Sequence, residues 1–307
     1  MTRSEKRQAQ GIQHGKRVLC TGRLYCDLVM GGLSMPPVAG QEVYADSLVL
    51  AAGGGAYITA AYLAALGRHV SLAAIIPAEP FAGPIMAELS ASGIDLAPCV
   101  YAAAGEDPQI TVALVTGDDR AFVTRRSGPA LPGGLAALIA EGGYDHLHIG
   151  ELASLVESPE IVAAAKAIGM SISVDCAWDA KVLARNDLVA LMAGVDIFMP
   201  NQMEAEALMR QAPLADYAAI VVVKNGKAGA EVFAKGGQLA RPAVPVAVVD
   251  TIGAGDAFNA GFLDRWLDDG PLTECLDAGA QTASVALARQ GGARGLGRIA
   301  HFRATAE

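Results

Sequence analysis

The sequence has little that would direct it to a membrane or to a nucleic acid. It contains no apolar run of about 18 residues, the minimum for a membrane-spanning helix. Basic residues are in deficit, because 23 Lys and Arg stand against 32 Asp and Glu and leave a net charge of −9. DNA, RNA and anionic lipid repel such a chain, so we expect no nucleic-acid partner and no membrane partner.

Secretion signals and paired cysteines are also missing. Residues 1–16 are polar and charged and no apolar stretch follows them, so we predict a flexible tail and not a secretory signal. The five cysteines are odd in number and scattered, without C-x-x-C spacing, which indicates reduced thiols. The cytoplasm is therefore the expected compartment.

Apolar residues, in contrast, are abundant, and 52% hydrophobic content is enough for a deep core. Between residues 68 and 200, short apolar strands alternate with Ala-rich helical segments. That order predicts a mainly parallel, doubly wound α/β sheet. Residues 42–50 predict an exposed or half-covered strand, and residues 110–126 predict a hairpin.

The most informative stretch is VAVVDTIGAGDAFNAGF, residues 246–262. The β-branched run at residues 246–249 predicts a strand, the two following glycines a turn, and the apolar positions after them a helix. The amides of Ala254, Gly255 and Asp256 would then be unpaired donors at a helix N-terminus, where anions bind. The Asp256 carboxylate would point at the same place and could accept a proton from an attacking hydroxyl.

Two other interpretations of this stretch stay open on sequence grounds. Asp256 could simply cap the helix, since acidic residues are favoured at helix starts. A G-x-G-x-x-G dinucleotide motif is the other competitor. It fits poorly, because Phe258 stands where the third glycine belongs and because that motif usually opens its fold.

Three shorter patterns lie on the predicted sheet. Asn201 and Glu204 follow a strand and open a helix with the spacing of a capping box. Residues 225–226, Asn-Gly between two apolar runs, predict a hairpin turn. His146 and His148 lie two apart on one strand face, as a metal pair would, but no third ligand is recognisable nearby, and we expect them to pack under a helix.

The sequence DTIGAGDAF at residues 250–258 resembles the C-terminal signature of the ribokinase-like (PfkB) carbohydrate kinase family. Residues 53–67 are similar to its N-terminal signature, and Asn-x-x-Glu at 201–204 and Lys-x-Gly-x-x-Gly at 224–229 are similar to two further motifs. The resemblance runs from about residue 18 to about residue 295. It implies an α/β fold, a three-layer α/β/α sandwich with a small β-sheet lid.

By the same resemblance, residues 17–307 would form one kinase domain with lid segments at about 28–50 and 98–127. The catalytic groups would be Asp256 and the backbone of Gly253, Ala254 and Gly255. The residues that line the ATP site would be Asn201, Lys224, Gly226, Gly229, Thr251, Gly253 and Gly255. Mg²⁺ would be organised by Glu204 and Asn201. The substrate-binding residues would be Asp27, Gly53, Gly54, Ile58, Arg126 and Asp256.

At Ile58 the sequence departs from the family pattern, which usually has a substrate-binding asparagine there. An apolar side chain cannot bond a hydroxyl, so the substrate would turn a carbon, a deoxy position or a ring face towards Ile58, or find its partner in Arg126 of the lid. Gly55 stands where ribose-phosphorylating relatives often have lysine. Both differences disfavour ribose as the acceptor.

These features predict an ATP- and Mg²⁺-dependent phosphotransferase that acts on a hydroxyl of a small sugar or sugar-like molecule. A nucleoside kinase of the same fold is one alternative, and a non-catalytic sugar-binding regulator is another. A dehydrogenase is disfavoured because an N-terminal G-x-G-x-x-G is missing. The sequence leaves open the acceptor, the hydroxyl that is phosphorylated, a homodimer through the lid, and a monovalent cation such as K⁺.

Overall fold

The structure is a computed structural model that describes residues 15–116, 119–289, 291–293 and 296. The predicted tail, residues 1–16, lies outside this part except for its last two residues. The strands are β1 (Val18–Thr21), β2 (Tyr25–Gly31), β3 (Ser47–Gly53), β4 (Val70–Ala73), β5 (Ile75–Ile76), β6 (Val100–Tyr101), β7 (Ile110–Thr116), β8 (Asp119–Arg125), β9 (His146–Ile149), β10 (Ser171–Asp175), β11 (Ile197–Met199), β12 (Ile220–Lys224), β13 (Ala230–Ala234) and β14 (Gly237–Arg241).

The helices alternate with these strands for most of the chain. They are α1 (Gly55–Ala65), α2 (Ala82–Ala91), α3 (Leu135–Glu141), α4 (Leu152–Glu157), α5 (Glu160–Ala167), α6 (Ala180–Leu183), α7 (Leu188–Leu191), α8 (Gln202–Met209), α9 (Ala254–Leu267) and α10 (Leu272–Leu287). Within the described ranges, none of them has both the length and the hydrophobicity that a bilayer-spanning segment requires.

The main sheet has eight strands in the order β14-β13-β12-β11-β10-β9-β1-β4. The strands from β12 to β4 run parallel, and β13 and β14 continue as antiparallel hairpins at one edge. The predicted mainly parallel sheet is therefore confirmed. The hairpin predicted at residues 225–226 is confirmed too, because it joins the antiparallel strands β12 and β13.

Both faces of this sheet are covered, so neighbouring residues of one strand enter different cores. In β1, Val18 and Cys20 pack with α1, α9 and α10, whereas Leu19 packs on the opposite face with α3 to α8. All three side chains are fully buried. This alternation is the period of two expected of a strand covered by helices on both sides, and it gives the three-layer α/β/α sandwich.

A second sheet has four strands in the order β3-β2-β7-β8. Strands β7 and β8 form the predicted hairpin. On one face of this sheet, Val29 and Ala113 pack with Ile252, the residue before Gly253. Residues 98–127 do not all belong to the sheet, because Val100 and Tyr101 pair with β5 in a separate two-stranded sheet.

The strand predicted at residues 246–249 is wrong. The segment is not part of a sheet, and Val248 and Val249 are 51% and 64% exposed. It follows the edge strand β14, and no strand of the described part pairs with it. The amide of Val249 instead donates to the carbonyl of Leu287 at 2.7 Å. β-Branched residues favour a strand only where a neighbouring strand can pair with them.

Candidate active site

The glycine turn before α9 leaves backbone amides free at a helix start, and this helix start is the candidate anion site. Gly253 has φ 74°, in the left-handed region that glycine adopts without strain, and α9 begins at the next residue. The amide of Ala254 is used within the turn, where it donates to Thr251 O at 3.3 Å. The amides of Gly255 and Asp256 have no acceptor among the described residues. Two backbone donors therefore remain for an anion at this helix start, one fewer than predicted.

Asp256 lies in the first turn of α9, beside these amides, and its side chain is half-buried. A Cβ placed on Gly55 would lie 2.9 Å from Asp256 Oδ1, so the start of α1 can approach the carboxylate only with glycine at that position. Burial, and next the Asp175 carboxylate, raise the pKa of Asp256 to about 7, although Lys224 opposes the increase. A carboxylate with a pKa near neutrality matches what a general base requires.

Gly150, at the end of β9, was missed as a site residue. Its own Cβ would lie 2.1 Å from Ala56 N, and a Cβ on Gly55 would lie 2.5 Å from Gly150 O. Two glycines therefore let the start of α1 contact the end of β9, which fixes the glycine turn of residues 53–55 next to Asp256. A glycine directly after a buried parallel strand was the signal available in the sequence.

Asp27 on β2 lies on the other side of this glycine turn. A Cβ on Gly53 would lie 2.0 Å from Asp27 Oδ2, so a side chain at position 53 would displace the Asp27 carboxylate. Burial and then the charge of Glu88 raise the pKa of Asp27 to about 7, while a hydrogen bond from Thr111 lowers it. The charge of Asp27 in turn raises the pKa of Asp256, so the fold brings these two predicted residues together.

The neighbouring Gly54 has φ 103°, and its Cβ would lie 2.2 Å from Arg23 O. Because this contact is with the backbone, glycine is required at position 54.

Lys224, predicted to line the nucleotide site, lies beside the anion site and is held by two residues that sequence reasoning missed. Its Nζ donates to Asp175 Oδ1 at 2.9 Å and to Asn259 Oδ1 at 3.1 Å, and Asn259 Nδ2 donates to Asp175 Oδ2 at 2.7 Å. A Cβ on Gly255 would lie 3.6 Å from the ammonium. Asp175 is the last residue of a buried strand, which was the signal that could have identified it.

Asn201 and Glu204 form the capping box that their spacing predicts. Glu204 N donates to Asn201 Oδ1 at 3.0 Å, and Asn201 N donates to Glu204 Oε2 at 2.8 Å. Burial, and next the charge of Asp175, raise the pKa of Glu204 to about 7, although Lys224 opposes the increase. Glu204 is 3% exposed. It lies close enough to Asp175 and Lys224 for their charges to shift its pKa.

Ile58, predicted to line the substrate site, is buried. Its side chain is 3% exposed and lies under the turn, where a Cβ on Gly253 would be 3.1 Å from Ile58 Cγ2 and a Cβ on Gly292 would be 3.4 Å from Ile58 Cδ1. Ile58 is the fourth residue of α1 and points into the core between α1 and α9. Ile58 therefore packs against the backbone of the glycine turn at residue 253.

The guanidinium of Arg126, predicted to bind substrate, is engaged by protein groups. It forms an ion pair with Asp179, donates to Tyr25 Oη at 3.2 Å and lies 3.8 Å from Glu151. Tyr25 Oη donates to Glu151 Oε2 at 3.2 Å. Arg126 therefore connects the end of β8 to the main sandwich, and a substrate would have to compete with two carboxylates for it.

The remaining predicted nucleotide residues lie in turns. Gly226 and Gly229 have φ 56° and 96°, and a Cβ on Gly229 would lie 2.0 Å from Arg241 O, so this glycine lets residues 241–243 pass close by. Behind the turn, the Asp250 carboxylate accepts from the amides of Ile252 and Gly291, both at 2.9 Å. Asp250 thereby joins the glycine turn to the Gly291 segment.

His146 and His148 pack as expected. His146 contacts Ser171 Oγ at 2.7 Å and Ser173 Oγ at 2.8 Å, and His148 contacts Ser173 Oγ at 2.8 Å. Burial lowers the pKa of His146 to about 3 and that of His148 to about 4, so both are neutral. His146 lies under α9, with its ring 5.8 Å from that of Trp266. In the described part of the chain, no group of three His, Cys, Asp or Glu could hold a metal ion.

The fold and this site together define a class of protein: an α/β sandwich with an anion site and a carboxylate at one helix start. The model of the pfkB family carbohydrate kinases matches residues 16–296. The chain belongs to that family and is a carbohydrate kinase.

Individual proteins agree with this assignment. The chain is 28% identical over 287 residues to an ATP-dependent ribose-1-phosphate kinase of Halopiger xanaduensis, covering 90% of this chain and 93% of the relative. Two solved structures share the fold. A nucleoside kinase of Methanocaldococcus jannaschii has a TM-score of 0.76 at 20% identity, covering 92% of this chain and 95% of its own. A putative ribokinase II of E. coli in complex with ATP and Mg²⁺ has a TM-score of 0.76 at 21% identity, covering 94% and 98%.

Proposed function

We propose that this kinase transfers the γ-phosphoryl group of ATP to a hydroxyl of a small sugar or sugar-like molecule, with Asp256 as the base. The observation that carries the proposal is the position of Asp256 in the same helical turn as two unpaired amides. The amides would stabilise charge on the transferring group, while Asp256 takes the proton of the attacking hydroxyl. Its pKa of about 7 supports proton acceptance at neutral pH.

Mg²⁺ fits the donors around this site. The charge of Asp175 raises the pKa of both Glu204 and Asp256, Glu204 raises that of Asp256, and Lys224 opposes these shifts. Such a surplus of oxygen charge suits a hard divalent cation, which usually binds through one or two carboxylates, several waters and the substrate phosphates. Glu204, with Asn201 behind it, would hold the ion through water, and the ion would neutralise charge on the phosphates.

The residues around Asp27 favour an acceptor that presents hydroxyl groups to them over an acceptor that presents a carboxylate. Asp27 and Glu88 are both hydrogen-bond acceptors there, and Glu88 Oε1 is buried without a partner among the described residues. Hydroxyls would supply the missing donors, whereas an anionic group would be repelled. This argues against a sugar acid whose carboxylate lies at the Asp27 end. Because one relative is a ribose-1-phosphate kinase, sugar phosphates are also worth testing. Their phosphate group would have to bind away from Asp27 and Glu88.

An ADP-release screen tests the proposal against its alternatives. The panel contains free sugars, sugar 1-phosphates and nucleosides, each with ATP and Mg²⁺ and with and without K⁺. We expect a sugar or sugar phosphate to give turnover that Asp256→Asn lacks. Turnover only with nucleosides would favour a nucleoside kinase. Sugar binding without any ADP release would favour a non-catalytic regulator, and a rate that rises with K⁺ would establish the monovalent-cation site.

We further propose that two copies associate through the outer face of the second sheet. Two apolar rows cross that face in register, Leu28-Val112-Val123 and Leu48-Met30-Leu114-Ala121, while Leu50 beside Leu28 packs against the main core. Leu48 and Val123, one from each row, are both apolar and yet 63% exposed. A continuous apolar sheet face of this kind usually marks an interface.

Light scattering coupled to size exclusion measures the predicted association. We expect a dimer for the wild type and a monomer for Leu48→Lys with Val123→Lys. Met209→Lys serves as the control, since Met209 is 52% exposed on α8, away from the sheet. A wild-type monomer at all concentrations would contradict the proposal.

A further inference from the structure

The ammonium of Lys224 is held in a defined direction beneath the first turn of α9. Two of its three N–H bonds are used, one by Asp175 Oδ1 at 2.9 Å and one by Asn259 Oδ1 at 3.1 Å. Asn259 is itself fixed, because it is fully buried and donates to the second carboxylate oxygen of Asp175 at 2.7 Å. The three side chains form a closed ring of hydrogen bonds.

The third N–H of Lys224 has no acceptor among the described residues. The ammonium lies against Gly255, where an added Cβ would be 3.6 Å from Nζ, and Gly255 carries one of the two unpaired amides. The Lys224 side chain is 13% exposed, so it is not sealed from the anion site. The free N–H of Lys224 and the unpaired amide of Gly255 therefore lie next to each other at the start of α9.

Lys224 keeps its charge in this position. Burial lowers the pKa of Lys224, but Asp175, Glu204 and Asp256 raise it by more, so the net change is upward. The ammonium is therefore protonated at neutral pH and cannot act as a base. Its chemistry is limited to donating hydrogen bonds and supplying positive charge.

We propose that Lys224 is a catalytic residue whose third N–H donates to the transferring phosphoryl group, and that Asp175 and Asn259 are the positioning residues that aim it. The inference rests on the proposed function and deepens it. In the step, the acceptor oxygen forms a bond to the γ-phosphorus, the bond from that phosphorus to the leaving oxygen of ADP breaks, and the acceptor proton passes to Asp256. Lys224 keeps all its protons and stabilises the charge on the phosphoryl oxygens.

The competing explanation is purely structural: Lys224 would be present only because the buried Asp175 carboxylate needs a counter-charge. Removing one member of such a pair leaves an uncompensated buried charge, whereas replacing both members by neutral groups is far better tolerated. The double variant Asp175→Asn with Lys224→Met therefore separates the two explanations. It restores stability in either case but restores activity only if the pair is structural.

The experiment uses the full chain in five forms: wild type, Lys224→Met, Asp175→Asn, the double variant, and Lys227→Met as a matched control. Lys227 is exposed in the same turn, three residues after Lys224. For each form, calorimetry measures affinity for ATP and for ADP, thermal unfolding measures stability, and coupled ADP release measures kcat and KM with the acceptor found in the screen. The ATP-to-ADP affinity ratio reports on the γ-phosphoryl group alone and needs no acceptor.

We expect Lys224→Met to lower kcat by about 10²-fold, the usual effect of removing a donor to transition-state charge. It should also reduce the ATP-to-ADP affinity ratio by about tenfold while leaving ADP affinity near that of the wild type. The double variant should unfold near the wild-type temperature yet keep both defects. Asp175→Asn should lower kcat with little change in the acceptor KM, because Lys224 keeps its charge but loses its direction.

Wild-type kcat and affinity ratio in the double variant would overturn the inference and leave Lys224 a counter-ion. An affinity ratio in Lys224→Met equal to that of Lys227→Met would overturn it as well. If the wild type turns over no acceptor, the proposed function fails instead, and the affinity ratio still decides whether Lys224 contacts the γ-phosphoryl group.

Discussion

Replacing the proposed base should stabilise the free protein while abolishing its activity. Asp256→Asn keeps the shape of the side chain and removes a carboxylate that the fold holds among Asp175, Asp27 and Glu204, three other acidic groups. In the native state the pKa of Asp256 is raised from 3.8 to about 7, chiefly by burial. Ionising it at neutral pH therefore costs the native state free energy that the unfolded chain does not lose.

The size and the pH range of the effect follow from linkage. Between about pH 4 and pH 7 the native state binds more protons at this site than the unfolded state, so the free energy of unfolding falls as pH rises and stays low above pH 7. The full difference in pKa corresponds to at most about 4 kcal/mol. We expect about 2 kcal/mol at pH 8, because the carboxylate is half-buried and Lys224 compensates part of the cost.

Differential scanning fluorimetry at pH 5 and pH 8 without ligands measures this effect. We expect Asp256→Asn to unfold about 4 °C higher than the wild type at pH 8, since about 1 kcal/mol shifts Tm by about 2 °C in a chain of this size. The gain should shrink to less than half at pH 5. Turnover should fall by at least about 10²-fold at both values.

Asp264→Asn on the same helix provides the matched control. Asp264 accepts from Arg68 Nε at 2.6 Å, so its loss should lower stability at both pH values. A lower Tm for Asp256→Asn at pH 8 would show that the carboxylate stabilises the fold as a helix cap. More than about a tenth of wild-type kcat in that variant would remove Asp256 from the chemistry.

Three further substitutions each separate a functional role of a site residue from a structural role. Glu204→Gln should raise the Mg²⁺ concentration needed for half-maximal rate; an unchanged Mg²⁺ dependence with a loss of about 1 kcal/mol in stability would leave Glu204 only a cap. Gly53→Ala places a Cβ 2.0 Å from Asp27 Oδ2 and should raise the acceptor KM while ATP affinity stays constant, which steady-state kinetics and calorimetry measure together. Ile58→Asn should destabilise the protein by about 1–3 kcal/mol without broadening acceptor specificity, because its amide would be buried under Gly253; a shift of about tenfold in kcat/KM towards hydroxylated sugars would restore Ile58 to the substrate site.

Local patterns in the sequence were enough to predict the architecture and the glycine turn that opens α9. Apolar strands alternating with helices predicted the parallel sheet, and the glycines at 253 and 255 with Asp256 predicted a helix start that binds anions. These features depend on residues close together in the chain, where backbone conformation is decided by glycine, by caps and by the spacing of apolar positions. The capping box of Asn201 and Glu204 is predictable for the same reason.

Contacts between distant segments were decided only by the tertiary structure. Asp175, Lys224 and Asn259 are up to 84 residues apart in sequence, and their ring forms because two parallel strands end beside α9. Ile58 looked like a substrate residue on its motif but is buried, because the start of α1 packs under Gly253. Residues 246–249 have the composition of a strand but no neighbouring strand to pair with. Side-chain partners and burial depend on how elements pack together, and no local pattern encodes that packing.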